Sequence, residues 1–419
     1  MSSVRKSSEI HCLISGLRKG LQESVSRQLT FASLFSGCGG FDVGFDTNGF
    51  RCIGAYDNDP HVVRVHHLNH GPIAEMLDLS SDAIRLEAIR NVDVLISGSP
   101  CQGFSTAGKR LFSDPRNHLL LVAGHIAAFA KPKVFLAENV VGVASGSHKE
   151  YWEALHLILR SAGYLTTDFI CDGTQMGVAQ IRRRRFLIAW RTPVTLRLRL
   201  PQKLGGILRD AIGNMEGTTS HDKNYLVAGS VHARIAERIR QGQKLSDVRG
   251  GNRAVPSWEI PEVFGATTPE EQNLLLALRS LRRRMRTRDY GDADPVSVSA
   301  LNSYFRHDVE LLVDSLESKK YLRRKGCMVN LSRGYNGKYR RLLWNAPSLN
   351  VDTCFGAPNL FLHPVEQRGF TIREAARIQG FPDTFEFKGP ERAQYRMIGN
   401  AVPPPMAECL SEFVRSALL

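Results

Sequence analysis

Between residues 30 and 191, short apolar runs alternate with longer stretches whose apolar positions recur at helical spacing. TFASLF (30–35), RCIGAY (51–56), VDVLIS (92–97), KVFLAE (133–138), LTTDFI (165–170) and RFLIAW (185–190) are short runs rich in apolar residues, as buried strands are. Phe41–Thr47, His61–Leu68, Leu119–Ala130 and Tyr151–Ala162 lie between several of them and read as helices. Strands alternating with helices imply βαβ units and a mostly parallel sheet covered on both faces. The predicted fold is α/β, doubly wound and Rossmann-like.

After Arg191 this pattern dissolves into glycine-rich and arginine-rich stretches such as RSLRRRMRTRDYGDADP (279–295). Residues 307–344 read as an amphipathic helix followed by a basic hairpin around GYNGK (334–338). Regular patterning returns near Phe370. TIREAARIQGF (371–381) predicts an amphipathic helix with Thr371 as N-cap and Gly380 as its stop, and the chain closes on an apolar helix after PPP (403–405). The expected organisation is an N-terminal tail (1–29), a catalytic and cofactor-binding domain (30–195), a smaller basic domain (196–350) and a C-terminal segment (351–419) that returns to the first domain.

Charge sharpens the picture. The 419-residue chain carries a formal net charge of +14. Between Arg197 and Arg341 stand 27 Lys and Arg against 16 Asp and Glu, so one third of the chain holds most of the surplus. A polyanion, most commonly nucleic acid, is the partner this implies. No apolar run reaches the roughly 18–20 residues of a membrane span. The eight cysteines are scattered singly without a CxxC pair, which disfavours a zinc cluster or a disulfide framework and suits a reducing, cytoplasmic setting. His66 and His70 have the i, i+4 spacing of a metal pair but no carboxylate motif beside them; a surface helix is the better reading, and no metal is expected.

Candidate chemistry gathers where strands end. FASLFSGCGGF (31–41) is a strand, a glycine cluster and a helix start. Gly37, Gly39 and Gly40 allow tight turning and close approach of a ligand to bare backbone. Asp57 ends the second strand, where a doubly wound fold places a carboxylate for ribose hydroxyls, and Asp78 ends the short run EMLDL, where an adenine amine could donate to it. These features point to an adenosine-type cofactor without saying which. Cys101 follows the VDVLIS strand in GSPCQGFSTAGKR (98–110), a proline-flanked turn leading into a polar, cationic loop suited to covering a site. Nearby positive charge would help ionise its thiol. Glu138 and Asn139 end the next strand, on the same sheet edge. In QIRRRRF (180–186), Arg182 and Arg184 share one strand face and Arg183 and Arg185 the other.

In their order, FSGCGGF, SPCQGFSTAGKR, DPR, AENV, GVAQIRRRRF, TIREAARIQGFPDTF and IGNAVPPP resemble the motifs of the cytosine-5 DNA methyltransferases of bacterial restriction-modification type. The resemblance implies the S-adenosylmethionine-dependent methyltransferase fold with a target-recognition domain between the motifs, and S-adenosyl-L-methionine as cofactor. It implies Cys101 as the nucleophile that attacks C6 of a flipped-out cytosine, Glu138 as the acid at N3, and Arg182 and Arg184 as arginines holding the base and the catalytic loop. Cofactor contacts would come from Phe35, Gly37, Gly39, Gly40, Asp57, Asp78, Leu79, Pro100, Leu119, Asn400 and Val402. Departures are Asp57 where the family commonly has Glu, Asn58 where an aromatic often stacks, Ala179 for a proline and Ala401 for a small hydroxyl residue. Double-stranded DNA is the implied partner, with a cognate restriction endonuclease acting on the same site; a monomer working in a prokaryotic cytoplasm is expected. The competing readings are the tRNA-methylating branch, which uses a shorter insert, a DNA-binding regulator that has lost the chemistry, and an NAD-dependent oxidoreductase.

Overall fold

The computed structural model describes residues 28–81, 83–100, 114–191, 194, 200–248, 251–287, 293–332, 334 and 336–419. Cys101, with the loop that follows it, and the N-terminal tail to residue 27 lie outside the described residues.

Seven described strands form the central sheet: β1 (Thr30–Leu34), β2 (Arg51–Asp57), β3 (Ala74–Met76), β4 (Val94–Ser97), β5 (Val134–Val140), β6 (Leu165–Asp172) and β7 (Arg183–Trp190). Their spatial order is β3-β2-β1-β4-β5-β7-β6. All pairings are parallel except those of β7, which runs antiparallel to both β5 and β6. The chain winds outward from β1 in both directions, so the strand order reverses between β1 and β4. A crevice opens at the carboxyl ends of such strands.

The strands read as near-continuous apolar runs because both faces are covered. Alternate residues feed two cores. Ala32, Leu34, Leu95, Phe135, Ala137 and Leu187 pack under α3 (Leu119–Ala130) and α4 (Lys149–Ser161). Phe31, Val94, Ile96, Leu136, Phe186 and Ile188 pack on the other side, with Phe41 and Phe45 of α1 (Gly40–Thr47) and the C-terminal helix. Between these, α2 (Pro60–His70) follows β2, capped by Asp59, whose carboxylate accepts from His61 N.

In the smaller lobe, α5 (Pro269–Arg284) and α6 (Glu310–Ser318) enclose a separate core with Val296, Leu322, Val329 and Leu331. Its hairpin joins Leu322–Lys325 to Met328–Leu331, earlier than the GYNGK position expected from the sequence. Gly326, at φ 58°, supplies the left-handed residue of that turn. Of GYNGK, Gly337 and Lys338 instead run beside Leu245, whose carbonyl accepts from both their N–H groups.

The C-terminal region returns as α7 (Ile372–Gln379), α8 (Glu391–Asn400) and α9 (Pro404–Leu418). The expected capping is present: Thr371 and Glu374 exchange a capping box and Gly380 ends α7 in the left-handed conformation. Leu208, Ile212 and Leu342 share the core of this region with Val351, Phe370 and Ile398. Buried Arg341 joins the segments by donating to the carbonyls of Ala236, Ile239, His363 and Glu366. No helix among the described residues is long and apolar enough to cross a membrane.

The α1–α9 contact admits no side chain at Gly44, where an added Cβ would stand 2.3 Å from Glu408 N and 2.4 Å from the Ala407 carbonyl carbon. These are backbone atoms and cannot swing away. Gly44→Ala should therefore lower stability by about 1–3 kcal/mol in denaturant titrations, although alanine is the better helix former.

Candidate active site

At the reversal point the loops after β1, β2, β3 and β4 and the end of β5 surround an open cleft of about 290 Å³. Most predicted site residues meet there. Phe35, Gly37 and Gly40 come from the loop after β1, Asp57 from β2, and Asp78 and Leu79 from the segment after β3. Pro100 lies in the loop after β4 and Leu119 at the start of α3, while Glu138, Arg182 and Arg184 line the inner wall. Asn400 and Val402 close the cleft from the C-terminal side.

The glycine cluster divides its labour in a way the sequence did not indicate. Gly37 has φ 57°, and an added Cβ would meet nothing within 4 Å, so only its left-handed backbone requires glycine. Gly40 is small for the sake of the protein: a Cβ there would lie 2.7 Å from the Val402 carbonyl oxygen. Gly39 is not among the cleft-lining residues. Its missing side chain would collide with His70, 2.3 Å from Nε2.

Asp57 anchors the turn. Its Oδ2 accepts from Gly37 N at 3.0 Å and its Oδ1 from Asp59 N at 3.0 Å. Burial pushes its carboxyl up, against the pull of these N–H groups. Each oxygen keeps a lone pair for a ligand hydroxyl. Asp78 is exposed and held low by Ser80, which donates from its hydroxyl and its backbone N. An ion pair between Arg396 of α8 and Asp59 bridges two cleft-lining residues. The Ser36 hydroxyl, also at the cleft, is buried with no hydrogen-bond partner among the described residues. A carboxylate for hydroxyls, an unsatisfied hydroxyl and a turn open at Gly37 fit a polar nucleoside cofactor.

Glu138, 7% exposed, forms the other pole. Burial raises its carboxyl above the ordinary glutamate range despite the opposing charges of Arg184 and Arg182. Arg184 Nε lies 2.9 Å from Glu138 Oε1. Asn139 Nδ2 donates to the Ser99 carbonyl at 3.4 Å, tying the end of β5 to the loop that leads through Pro100 into Cys101. The two arginines that share a face are thus differently employed. Arg182 is 1% exposed and donates to Asn350 Oδ1 and the carbonyls of Val351, Gly399 and Ala401 at 2.9–3.0 Å. On the other face Arg185 pairs with Asp168.

Two residues went unmarked in the sequence. Gln180 accepts from Val351 N at 2.9 Å and donates to the Ile378 carbonyl at 3.1 Å and to Gln379 at 2.5 Å. Gln379 donates to the carbonyls of Ile398 and Ala401. Their one sequence signal is a polar amide set in an apolar context, in VAQI and RIQGF. Cys38 is buried, its thiol pushed up to about 12 by burial, as suits a packing residue. His66 and His70 form neither a metal pair nor a surface face. His66 is fully buried against Asp42, and His70 pairs with Asp46. No group of three metal-ligating side chains occurs among the described residues.

Comparison with known proteins gives a consistent answer. Residues 29–414 match the family described as C-5 cytosine-specific DNA methylase. Type II methyltransferase M.AgeI of Thalassovita gelatinovora is 30% identical, over 92% of this chain and 99% of its own. Type II methylase M.HgiEI of Herpetosiphon aurantiacus is 27% identical, over 92% and 96%. Among solved structures, the Entamoeba histolytica methyltransferase EhMeth shares the fold at a TM-score of 0.54 and 16% identity, covering 94% of this chain and all of that one.

The geometry separates the two arginines experimentally. Arg182→Met strands buried carbonyls of three residues and should destabilise the protein by about 3 kcal/mol or more in chemical denaturation. Loss of stability below about 1 kcal/mol would contradict the role given to Arg182.

Proposed function

The chain belongs to the C-5 cytosine-specific DNA methylase family, a DNA (cytosine-5) methyltransferase that uses S-adenosyl-L-methionine, and we propose that Cys101 and Glu138 carry its chemistry. The observation that supports this reading is the pairing of a buried carboxyl at Glu138, its pKa raised by burial, with a hydrogen bond from neighbouring Asn139 to Ser99, two residues before Cys101.

Cytosine is a poor electrophile at C6. In this reading the Cys101 thiolate adds to C6 while Glu138 donates its proton, or a hydrogen bond, to N3. Electron density then collects at C5. The bound cofactor supplies an electrophilic methyl group. Loss of the C5 proton and expulsion of the thiolate restore the aromatic ring and free Cys101. A thiol cannot reach C6 within stacked DNA, so the nucleotide leaves the helix at a cost of a few kcal/mol. Arg184 orients Glu138. Arg182 acts further back, holding the 350–351 and 399–401 segments that carry Asn400 and Val402. Phe35, Gly37, Gly40, Asp57, Asp78, Leu79, Pro100, Leu119, Asn400 and Val402 contact the methyl donor, while Gly39 contributes by packing.

The basic 196–350 region is assigned to the target DNA. Arg279, Arg283 and Arg284 of α5 share a concavity with Asn252 and Ser280, suited to phosphate contacts. The names of the relatives favour a restriction-modification role, in which a monomer in a prokaryotic cytoplasm protects the sites of a cognate endonuclease. Bisulfite sequencing of DNA from cells expressing the protein reads the modified base and its sequence context together.

Cys101→Ser should abolish methyl transfer and covalent trapping on 5-fluorocytosine DNA while duplex binding persists; a fully active variant would remove Cys101 from the mechanism. Glu138 acts in its protonated form, so the single-turnover rate of adduct formation should fall as pH rises through its elevated pKa. Glu138→Gln should lack that limb and be slower by about 10²–10⁴-fold. A wild-type pH profile in the glutamine variant would exclude Glu138 as the acid.

A further inference from the structure

Helices α1 and α2 are joined by two histidine–carboxylate rungs that the mechanism does not use. Asp42 and Asp46 are one turn apart on α1, and His66 and His70 one turn apart on α2. His66 Nε2 lies 3.3 Å from Asp42 Oδ1, both side chains fully buried, and Asp42 Oδ2 accepts from the Ser33 hydroxyl at 3.1 Å. His70 Nδ1 lies 2.8 Å from Asp46 Oδ2, its own side chain only 6% exposed. The two imidazoles are 4.5 Å apart, centroid to centroid.

The outer rung bears on the cofactor turn. Gly39, at φ 94°, is the residue before α1, and the space its side chain would fill is taken by the His70 ring. The ring edge bearing His70 Nε2 and Cδ2 is what a Cβ at Gly39 would strike, at 2.3 and 2.6 Å. Gly37, Cys38 and Gly40 on either side of Gly39 all line the cleft. The turn is therefore held from outside by an imidazole and from inside by Asp57. We propose that His70, braced by Asp46, is a positioning residue that sets the shape of the glycine turn and so the affinity for the methyl donor. This rests on the cleft being the methyl-donor site.

The surroundings give the device a direction in pH. Burial opposes protonation of His70, but Asp46 and, beyond it, Asp42 raise its pKa above the ordinary histidine value. From α2 it meets His66; from the 381–387 segment it meets the Phe385 ring, while Glu386 pairs with Lys388. The neighbouring Cys38 thiol is protonated at neutral pH. Protonated His70 pairs with Asp46 by charge as well as by hydrogen bond; neutral His70 keeps only the hydrogen bond. The hold is complete below the ordinary histidine pKa of about 6.5 and weakens as pH rises through the elevated value.

Equilibrium binding of S-adenosyl-L-methionine, measured by calorimetry between pH 6 and 9, tests this without turnover. Wild type should bind more weakly as pH rises. His70→Gln should bind about tenfold more weakly at pH 6 and lose the pH dependence, with duplex DNA affinity in the absence of cofactor unchanged. Asp46→Asn, which keeps the imidazole but removes its counter-charge, should shift the weakening to lower pH. Asp57→Ala separates the two levels of inference. If it binds as wild type does, the cleft is not the donor site. If it loses binding while His70→Gln matches wild type, or while Asp46→Asn reproduces the wild-type pH profile, His70 is not the positioning residue.

Discussion

One buried guanidinium holds the cleft together. Arg182 enters at the start of β7 and spends its hydrogen bonds on Asn350 and on the carbonyls of Val351, Gly399 and Ala401. A guanidinium has five N–H donors in a fixed plane and no acceptor, so it orders several carbonyls at once. Those carbonyls belong to segments that reach the sheet only after the chain has built the smaller lobe. The cleft wall formed by Asn400 and Val402 therefore depends on a contact between residues more than 160 positions apart. Gln180 and Gln379 extend the same arrangement, binding the Val351 amide and the carbonyls of Ile378, Ile398 and Ala401.

Arg182 also bears on Glu138, where its charge opposes the effect of burial. With two arginines close by, a carboxylate would ordinarily be held ionised. Arg184 contacts it directly and Arg182 adds its charge, yet burial of Glu138 prevails over both. The result is an acid that keeps its proton beyond the ordinary glutamate range, at the sheet edge from which the Pro100 loop departs. Arg341 does for the smaller lobe what Arg182 does for the cleft, joining residues 236–239 to 363–367 through carbonyls. In both places the chain uses a buried arginine where segments distant in sequence meet.

The alternation of strands and helices in 30–191 was readable because strands buried on both faces must be apolar nearly throughout, and the turns between them need glycine or a cap. The α7 cap was readable for the same reason: Thr371 and Glu374 stand at the spacing that satisfies orphan amides. The positions of Asp57, Asp78, Glu138 and Pro100 at one cleft followed from the rule that such sheets bind at their carboxyl ends. The hairpin was misplaced because both GYNGK and KGCM offer a glycine turn, and only packing of Val329 and Leu331 against α5 chooses between them.

By itself, then, the sequence determined the elements, their order and which chemical groups would gather at the sheet edge, since strand period, caps and turn residues are local properties. Tertiary structure alone decided that Gly39 makes room for a histidine and Gly40 for a carbonyl, and that of two like-facing arginines one pairs with an acid and the other fastens the chain. The physical reason is that these partners come from segments distant in sequence, and those of Gly40 and Arg182 are mainly backbone atoms. Every residue has them, so they leave no mark in the letters of a sequence.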